Sequence, residues 1–283
     1  MVDTHCHLNI MVRNFAQNST IIPFNAQELQ ACSLILNDAQ KNSVTTIINV
    51  GTNLTESLLC IELSKQFSNC FATAGIHPND ATAETWRYEM SAFEKILITD
   101  LTPKSESRTT KSIVGIGECG IDQHYPDFNL QLQQDVFHAQ IQLALKHNLA
   151  LVVHSRDADL QTYQALADYR GEKNLRGTIH CFSSDEIYAQ KYLDLGFVLG
   201  FGGTLTYPKN QKLRNVAQMI PLEKIILETD APFLPPQSLR GKKNEPANIA
   251  IIANFLANLR NESFEKVAKV TDETSRKLFG LIA

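Results

Sequence analysis

Val2-Asp3-Thr4-His5-Cys6-His7 is a short apolar run that closes on two alternating histidines. Its form recurs along the chain. Ile113-Val114-Gly115-Ile116-Gly117-Glu118, Leu151-Val152-Val153-His154, Gly177-Thr178-Ile179-His180 and Ile225-Ile226-Leu227-Glu228-Thr229-Asp230 each end on a polar group in the same way. Apolar and β-branched residues favour a buried strand, and a polar residue at the end sits where a strand leaves the core. Read together, His5, His7, Glu118, His154, His180 and Asp230 are the ligands expected of one metal centre.

The remaining apolar runs extend the pattern to eight strands, expected near 2–7, 44–51, 71–76, 113–118, 150–154, 176–181, 197–201 and 225–229. Helical patterns separate them at Leu54–Phe67, Glu84–Leu97, Phe128–His147, Asp157–Tyr169, Ser184–Leu195 and Gln211–Met219, many with Asn or Asp placed to cap. Two more, at Pro246–Leu259 and Ser263–Phe279, complete an outer layer. Strands apolar on both faces and alternating with helices predict an α/β fold, a single-domain (β/α)8 TIM barrel over residues 1–283. Such barrels gather their active sites at the C-terminal ends of the strands, where all six polar residues fall. An open doubly wound sheet is the rival, but Gly115-Ile116-Gly117 lacks the third glycine of a dinucleotide loop. The polar stretch Thr102–Lys111 is expected to be a surface loop, and no internal repeat or linker divides the chain.

A hydrophobic fraction of 43% with 20% charged residues belongs to a globular chain. No run of about 20 apolar residues offers a membrane span. Asp3, His5 and His7 occupy the place where a signal peptide would need basic and then apolar residues, so a cytoplasmic location is expected. Six cysteines without CxxC or framework spacing read as reduced thiols. Cys6, Cys119 and Cys181 each follow a proposed ligand and, by strand alternation, should face away from the metal. A net charge of -4 argues against bulk coating of nucleic acid, yet divalent cations can supply positive charge locally to an enzyme acting on phosphates.

His5 and His7, two apart on a strand, present their imidazoles on one side roughly 7 Å apart along the backbone, within reach of one ion. A carboxylate at Glu118 has two oxygens and can bridge two ions, as a histidine cannot. The motifs Asp3-Thr4-His5-Cys6-His7-Leu8, Gly75-Ile76-His77-Pro78, Gly117-Glu118-Cys119-Gly120-Ile121-Asp122, Val153-His154-Ser155-Arg156, His180-Cys181-Phe182-Ser183, Gly202-Gly203-Thr204, Glu228-Thr229-Asp230-Ala231-Pro232 and Asn244-Glu245-Pro246 span nearly the whole chain. In that order the sequence resembles the TatD family of metal-dependent deoxyribonucleases, among the amidohydrolase-like metallohydrolases. The resemblance implies one ion on His5, His7, Glu118 and Asp230 and a second on Glu118, His154 and His180. Two divalent cations are thus expected, zinc, manganese, nickel or iron suiting mixed imidazole and carboxylate donors better than magnesium does. The chain departs from the family at Gln123, where tyrosine is common.

The activity implied is cleavage of DNA phosphodiesters, as a 3′ to 5′ exonuclease, with RNA as a second substrate and no membrane or obligate protein partner. Glu118 and Asp230 would be catalytic, Asp230 accepting a proton from the attacking water, and His77 would contact phosphate or act as an acid. Arg156 could clamp a phosphate, and Lys242, within the basic Arg240-Gly241-Lys242-Lys243-Asn244 loop after the eighth strand, could guide the backbone. Tyr125, Phe182 and Tyr207 are the nearest candidates for stacking a base, while His124 is expected at the rim and His138 and His147 in a structural helix. Two other readings fit the same centre: an ester or amide hydrolase such as a D-aminoacyl-tRNA deacylase, and a non-catalytic, metal-stabilised nucleic-acid-binding protein.

Overall fold

In a computed structural model that describes residues 1–13, 22–100 and 111–281, eight parallel strands lie in the sheet order β1 to β8. They are β1 Val2–Cys6, β2 Thr46–Val50, β3 Cys70–Ala74, β4 Ile113–Asp122, β5 Ala150–Arg156, β6 Gly177–Ile179, β7 Val198–Phe201 and β8 Ile225–Leu227. The sheet closes between its first and last strands. Thr4 Oγ1 donates to the Leu227 carbonyl, Asp230 N–H to the His5 carbonyl and His7 N–H to the Ala231 carbonyl (2.9, 2.8 and 2.7 Å). Buried Asp3 reinforces the seam by accepting both the N–H and the hydroxyl of Thr229. The expected (β/α)8 barrel is the fold found.

The helices are α1 Leu8–Val12, α2 Ala26–Lys41, α3 Leu54–Gln66, α4 Trp86–Asp100, α5 Leu130–His147, α6 Asp159–Ala167, α7 Glu186–Asp194, α8 Gln211–Met219, α9 Ile249–Arg260 and α10 Phe264–Phe279. Asn25, Asn53, Asn129, Asp185 and Ser263 cap helix N-termini through their side chains, bonding N–H groups that the helix leaves unpaired. The α2 helix is absent from the sequence expectations, although Asn25 and Glu28 form a capping box at its start. The Thr102–Lys111 expectation lies outside the described residues except for Lys111. No helix among those described is long and apolar enough to cross a membrane.

Two apolar clusters divide the core. Val2, Ile48, Val50, Phe71, Val114, Ala150, Val152, Val198 and Ile226 pack inside the barrel, with Leu278 and Phe279 at the end of α10. Ile47, Cys70, Ala72, Leu151, Val153, Leu199 and Leu227 face outward into the helical layer. On β5 this alternation carries straight on from Ala150 and Val152 to an inward His154. On β1 it does not. Val2 packs inside and Cys6 outside, although they are four positions apart, because the ladder to β2 shifts register between Asp3 and Cys6. That slip turns His5 and His7 into the barrel mouth.

Candidate metal centre

All six residues expected as ligands meet at the C-terminal mouth of the barrel. His5 Nε2 lies 3.3 Å from His7 Nε2, 3.4 Å from Glu118 Oε2 and 3.7 Å from Asp230 Oδ1. His7 Nε2 is 3.5 Å from the same Asp230 oxygen. On the other side of Glu118, Oε1 stands 2.9 Å from His154 Nδ1, 3.6 Å from His77 Nε2 and 3.9 Å from His180 Nε2. Glu118 is therefore shared by two donor groups, one with His5 and His7 and one with His154 and His77. A third group joins His5, His180 and Glu228, with the rings of His5 and His180 stacked 3.5 Å apart.

Three of the four expected histidine ligands have one ring nitrogen committed to an oxygen behind them. His7 Nδ1 is 3.0 Å from the Val50 carbonyl, His154 Nε2 is 3.0 Å from Asp122 Oδ2, and His180 Nδ1 is 3.1 Å from Glu228 Oε1, though poorly aligned for a hydrogen bond. An oxygen acceptor at one nitrogen fixes the proton there and turns the lone pair of the other toward the cluster. His77 is set the opposite way. Its Nδ1 accepts the Asn79 N–H at 3.1 Å, so the proton belongs on Nε2, the nitrogen that faces Glu118. That face suits a phosphoryl oxygen better than a cation, even though His77, Glu118 and His154 lie close enough to be counted as a donor group.

Burial opposes charge on every group here, and neighbours decide the outcome. Burial pushes His5 down, with the His180 charge adding to the effect, and it pushes His77 down to about 4. Against burial, the carboxylates around His180, Glu228 foremost, raise it to about 10. Surrounding imidazoles, against the same burial penalty, hold Glu118 well below the usual carboxylate range and Asp230 below its own. The result is a buried set of ionised carboxylates whose balancing charge is protons on imidazoles, a set in which divalent cations can replace those protons.

Backbone features place these groups. Gly117, at φ 144°, lets β4 pass so close to β5 that a Cβ there would stand 2.5 Å from the Val152 carbonyl oxygen. The strand continues to Asp122, past its expected end at Glu118, and two buried glutamines of α5 fasten the rim. Gln133 exchanges hydrogen bonds with the backbone of Asp122, and Gln140 with that of Ile76, the residue before His77. Glu228, Asp122, Gln133 and Gln140 lie outside the set of site residues that the sequence leads one to expect. Glu228 and Asp122 stand within the quoted motifs, and the available signal was an acid two residues from a ligand or at a motif's end.

Arg156 ends β5, exposed, with its guanidinium 5.7 Å from the Tyr125 ring. Lys242 is exposed in a loop that Asn244 ties to the carbonyls of Thr229 and Phe233 on either side of Asp230. Of the stacking candidates, Phe182 is corrected: it is 2% exposed and packs on Phe201, so no base can reach it. Tyr207 bonds the Pro235 carbonyl and carries Arg240 over its ring. His124 pairs with Asp157 at the rim, while His138 and His147 pair with Tyr169 and Glu94 on the helical layer. Cys6 and Cys119 are buried in the outer cluster as expected, but Cys181 follows β6 in a left-handed turn (φ 45°), where strand alternation does not apply. No cysteine belongs to a donor group among the described residues.

The family model described as "TatD related DNase" matches residues 2–280. The uncharacterised metal-dependent hydrolase YabD of Bacillus subtilis is 31% identical over 99% of this chain and 98% of its own. The 3′-5′ ssDNA/RNA exonuclease TatD of Citrobacter rodentium is 32% identical over 84% of this chain and 88% of its own. Among solved structures, the TatD homologue YJJV of Escherichia coli K12 superposes with a TM-score of 0.85 at 25% identity, covering 99% of this chain and 98% of the other.

Proposed function

We propose, from the premise that the chain belongs to the TatD-related DNase family, that it is a divalent-metal-dependent hydrolase cleaving phosphodiester bonds of DNA. It would act as a 3′ to 5′ exonuclease on single strands, with RNA as a second substrate. One observation carries the reading: a single carboxylate, Glu118, presents one oxygen to His5 at 3.4 Å and the other to His154 at 2.9 Å. The donors fit the ions the family implies, because the histidine nitrogens left free by Val50, Asp122 and Glu228 converge with Glu118 and Asp230 in a buried space. His5, His7, Glu118 and Asp230 would hold one cation, and Glu118, His154 and His180 the second.

Divalent ions there would bring the pKa of a water toward about 7 and polarise a phosphoryl oxygen. Asp230, with Oδ1 turned to His5 and His7, is the base that takes the attacking water's proton. His77 donates its Nε2 proton to a non-bridging oxygen, and its ring is held for this by the Asn79 N–H at Nδ1. Arg156, at the end of β5, and Lys242, in the loop after β8, are both exposed and contact flanking phosphates.

The test is release of nucleotides from a 3′-labelled single strand by chelated protein and by protein resupplied with manganese, zinc or magnesium. Release should depend on metal. Glu118→Ala should lose both metal and rate, by more than the roughly 10- to 100-fold that loss of an outer partner costs. Near-normal rates with full metal in that variant would rule out the bridge. No release by folded, loaded protein would overturn the nuclease reading in favour of an ester, amide or aminoacyl-tRNA substrate.

A further inference from the structure

Beside the metal centre, between the loops that follow β3 and β4, lies a cavity of about 310 Å³ lined by Pro78, Ala81, Tyr125, Phe128 and Leu132 together with Asn79. We infer that this cavity is a base subsite: it takes the nucleobase next to the scissile phosphate of a single-stranded nucleic acid. The inference rests on the nuclease reading above and adds the part of the substrate that is recognised.

Four observations point to this occupant. Tyr125 and Phe128 are 53% and 38% exposed, so two large aromatic rings stand open on the same small cavity. Aromatic faces stack any base, whatever its sequence. The volume is near the lower limit of about 300 Å³ for small-molecule pockets, which admits a planar ring system and little more.

The cavity also adjoins the reacting centre through an unbroken set of contacts. Asn79 Nδ2 donates to Asp122 Oδ2 at 3.1 Å, the same oxygen meets His154 Nε2 at 3.0 Å, and His154 Nδ1 meets Glu118 Oε1 at 2.9 Å. A base seated against Asn79 is thus one nucleotide's reach from the shared carboxylate.

Charge then orients the nucleotide. Arg156 holds its guanidinium 5.7 Å from the Tyr125 ring, and it has no side-chain acceptor among the described residues. Asp127 lines the cavity itself and repels phosphate while accepting from base amino groups. The planar base goes in, and the phosphate stays out beside Arg156. The Tyr125 ring is set in place beforehand: the His124 ring meets it edge-on at 5.3 Å, and His124 is anchored on Asp157 at 2.9 Å.

The test compares kcat/KM of metal-loaded protein on a single-stranded oligonucleotide with the same strand carrying an abasic site at the terminal or the penultimate position. Wild type should prefer the intact strand over one of these by about 5- to 150-fold, the range that base stacking on one aromatic spans. The double variant Tyr125→Ala/Phe128→Ala should lose that preference, chiefly through KM, and Tyr125→Trp should keep it. Both substitutions are on exposed side chains, and a thermal melt checks that the fold is intact. Equal rates on intact and abasic strands by wild type, or a preference unchanged in the double variant, would overturn the base subsite alone. No release from any strand by loaded wild type would overturn the nuclease reading, and the subsite with it.

Discussion

Glu228 touches no solvent, yet it stands behind His180 with one oxygen 3.1 Å from Nδ1 and accepting the Cys181 N–H, while its second oxygen has no hydrogen-bond partner among the described residues. Such a carboxylate fixes the imidazole's orientation and raises its basicity as a ligand. Glu228→Gln keeps the shape and removes the charge, so metal affinity should fall about 10- to 100-fold in titrations against a competing chelator, with activity recovered in excess metal. Gly200→Ala should give a similar loss, since a Cβ there would collide with the Glu228 carboxylate. Unchanged affinity in Glu228→Gln would mean that His180 needs no such support. The six expected ligands could be read from the sequence because each ends an apolar run. The groups behind them could not, because facing depends on register. The β1 slip between Asp3 and Cys6 and the irregular ladder of β4 between Ile116 and Cys119 are not encoded in any spacing rule.

At the level of elements, the eight strands are legible and α2 is not among the expected helices, although its start carries a recognisable signal. Asn25 accepts the Glu28 N–H, Glu28 accepts the Asn25 N–H, and Arg13 forks onto both oxygens of Glu28 at 2.8 and 2.7 Å. The cap and the ion pair use the same carboxylate, so they should weaken together. Asn25→Ala should cost about 1 kcal/mol in urea denaturation. Glu28 sits below its ordinary range chiefly because of the Arg13 hydrogen bond. A lowered carboxyl stabilises the fold above its unfolded pKa of about 4.3 and loses that contribution as pH falls through its folded value. The deficit of Glu28→Gln relative to wild type, below about 1 kcal/mol at pH 7 for a pair near the surface, should therefore shrink as pH drops below 4. A deficit that stays constant from pH 7 to pH 3 would assign the effect to the cap geometry alone.

Across the whole molecule, the donors come from β1, β4 and β5 and from the segments that follow β1, β6 and β8, so cations would join five strands around one rim. The barrel seam lies among them, where Asp230 N–H bonds the His5 carbonyl and both side chains face the same centre. In the unfolded chain the same residues are scattered from position 5 to position 230 and offer no site. Metal should therefore bind the native state alone and stabilise it by mass action. At free metal 100 times Kd the gain is about 2.7 kcal/mol, which for a domain of this size raises the melting temperature by about 5–10 °C. Thermal melts of chelated and resupplied protein should differ by that amount, and the difference should grow with the logarithm of free metal. In Glu118→Ala the dependence should collapse, because both donor groups lose their shared carboxylate. A wild-type melting temperature indifferent to metal at concentrations that support activity would mean that the ions bind the unfolded chain as well as the native rim, or occupy the rim too weakly to contribute to the fold.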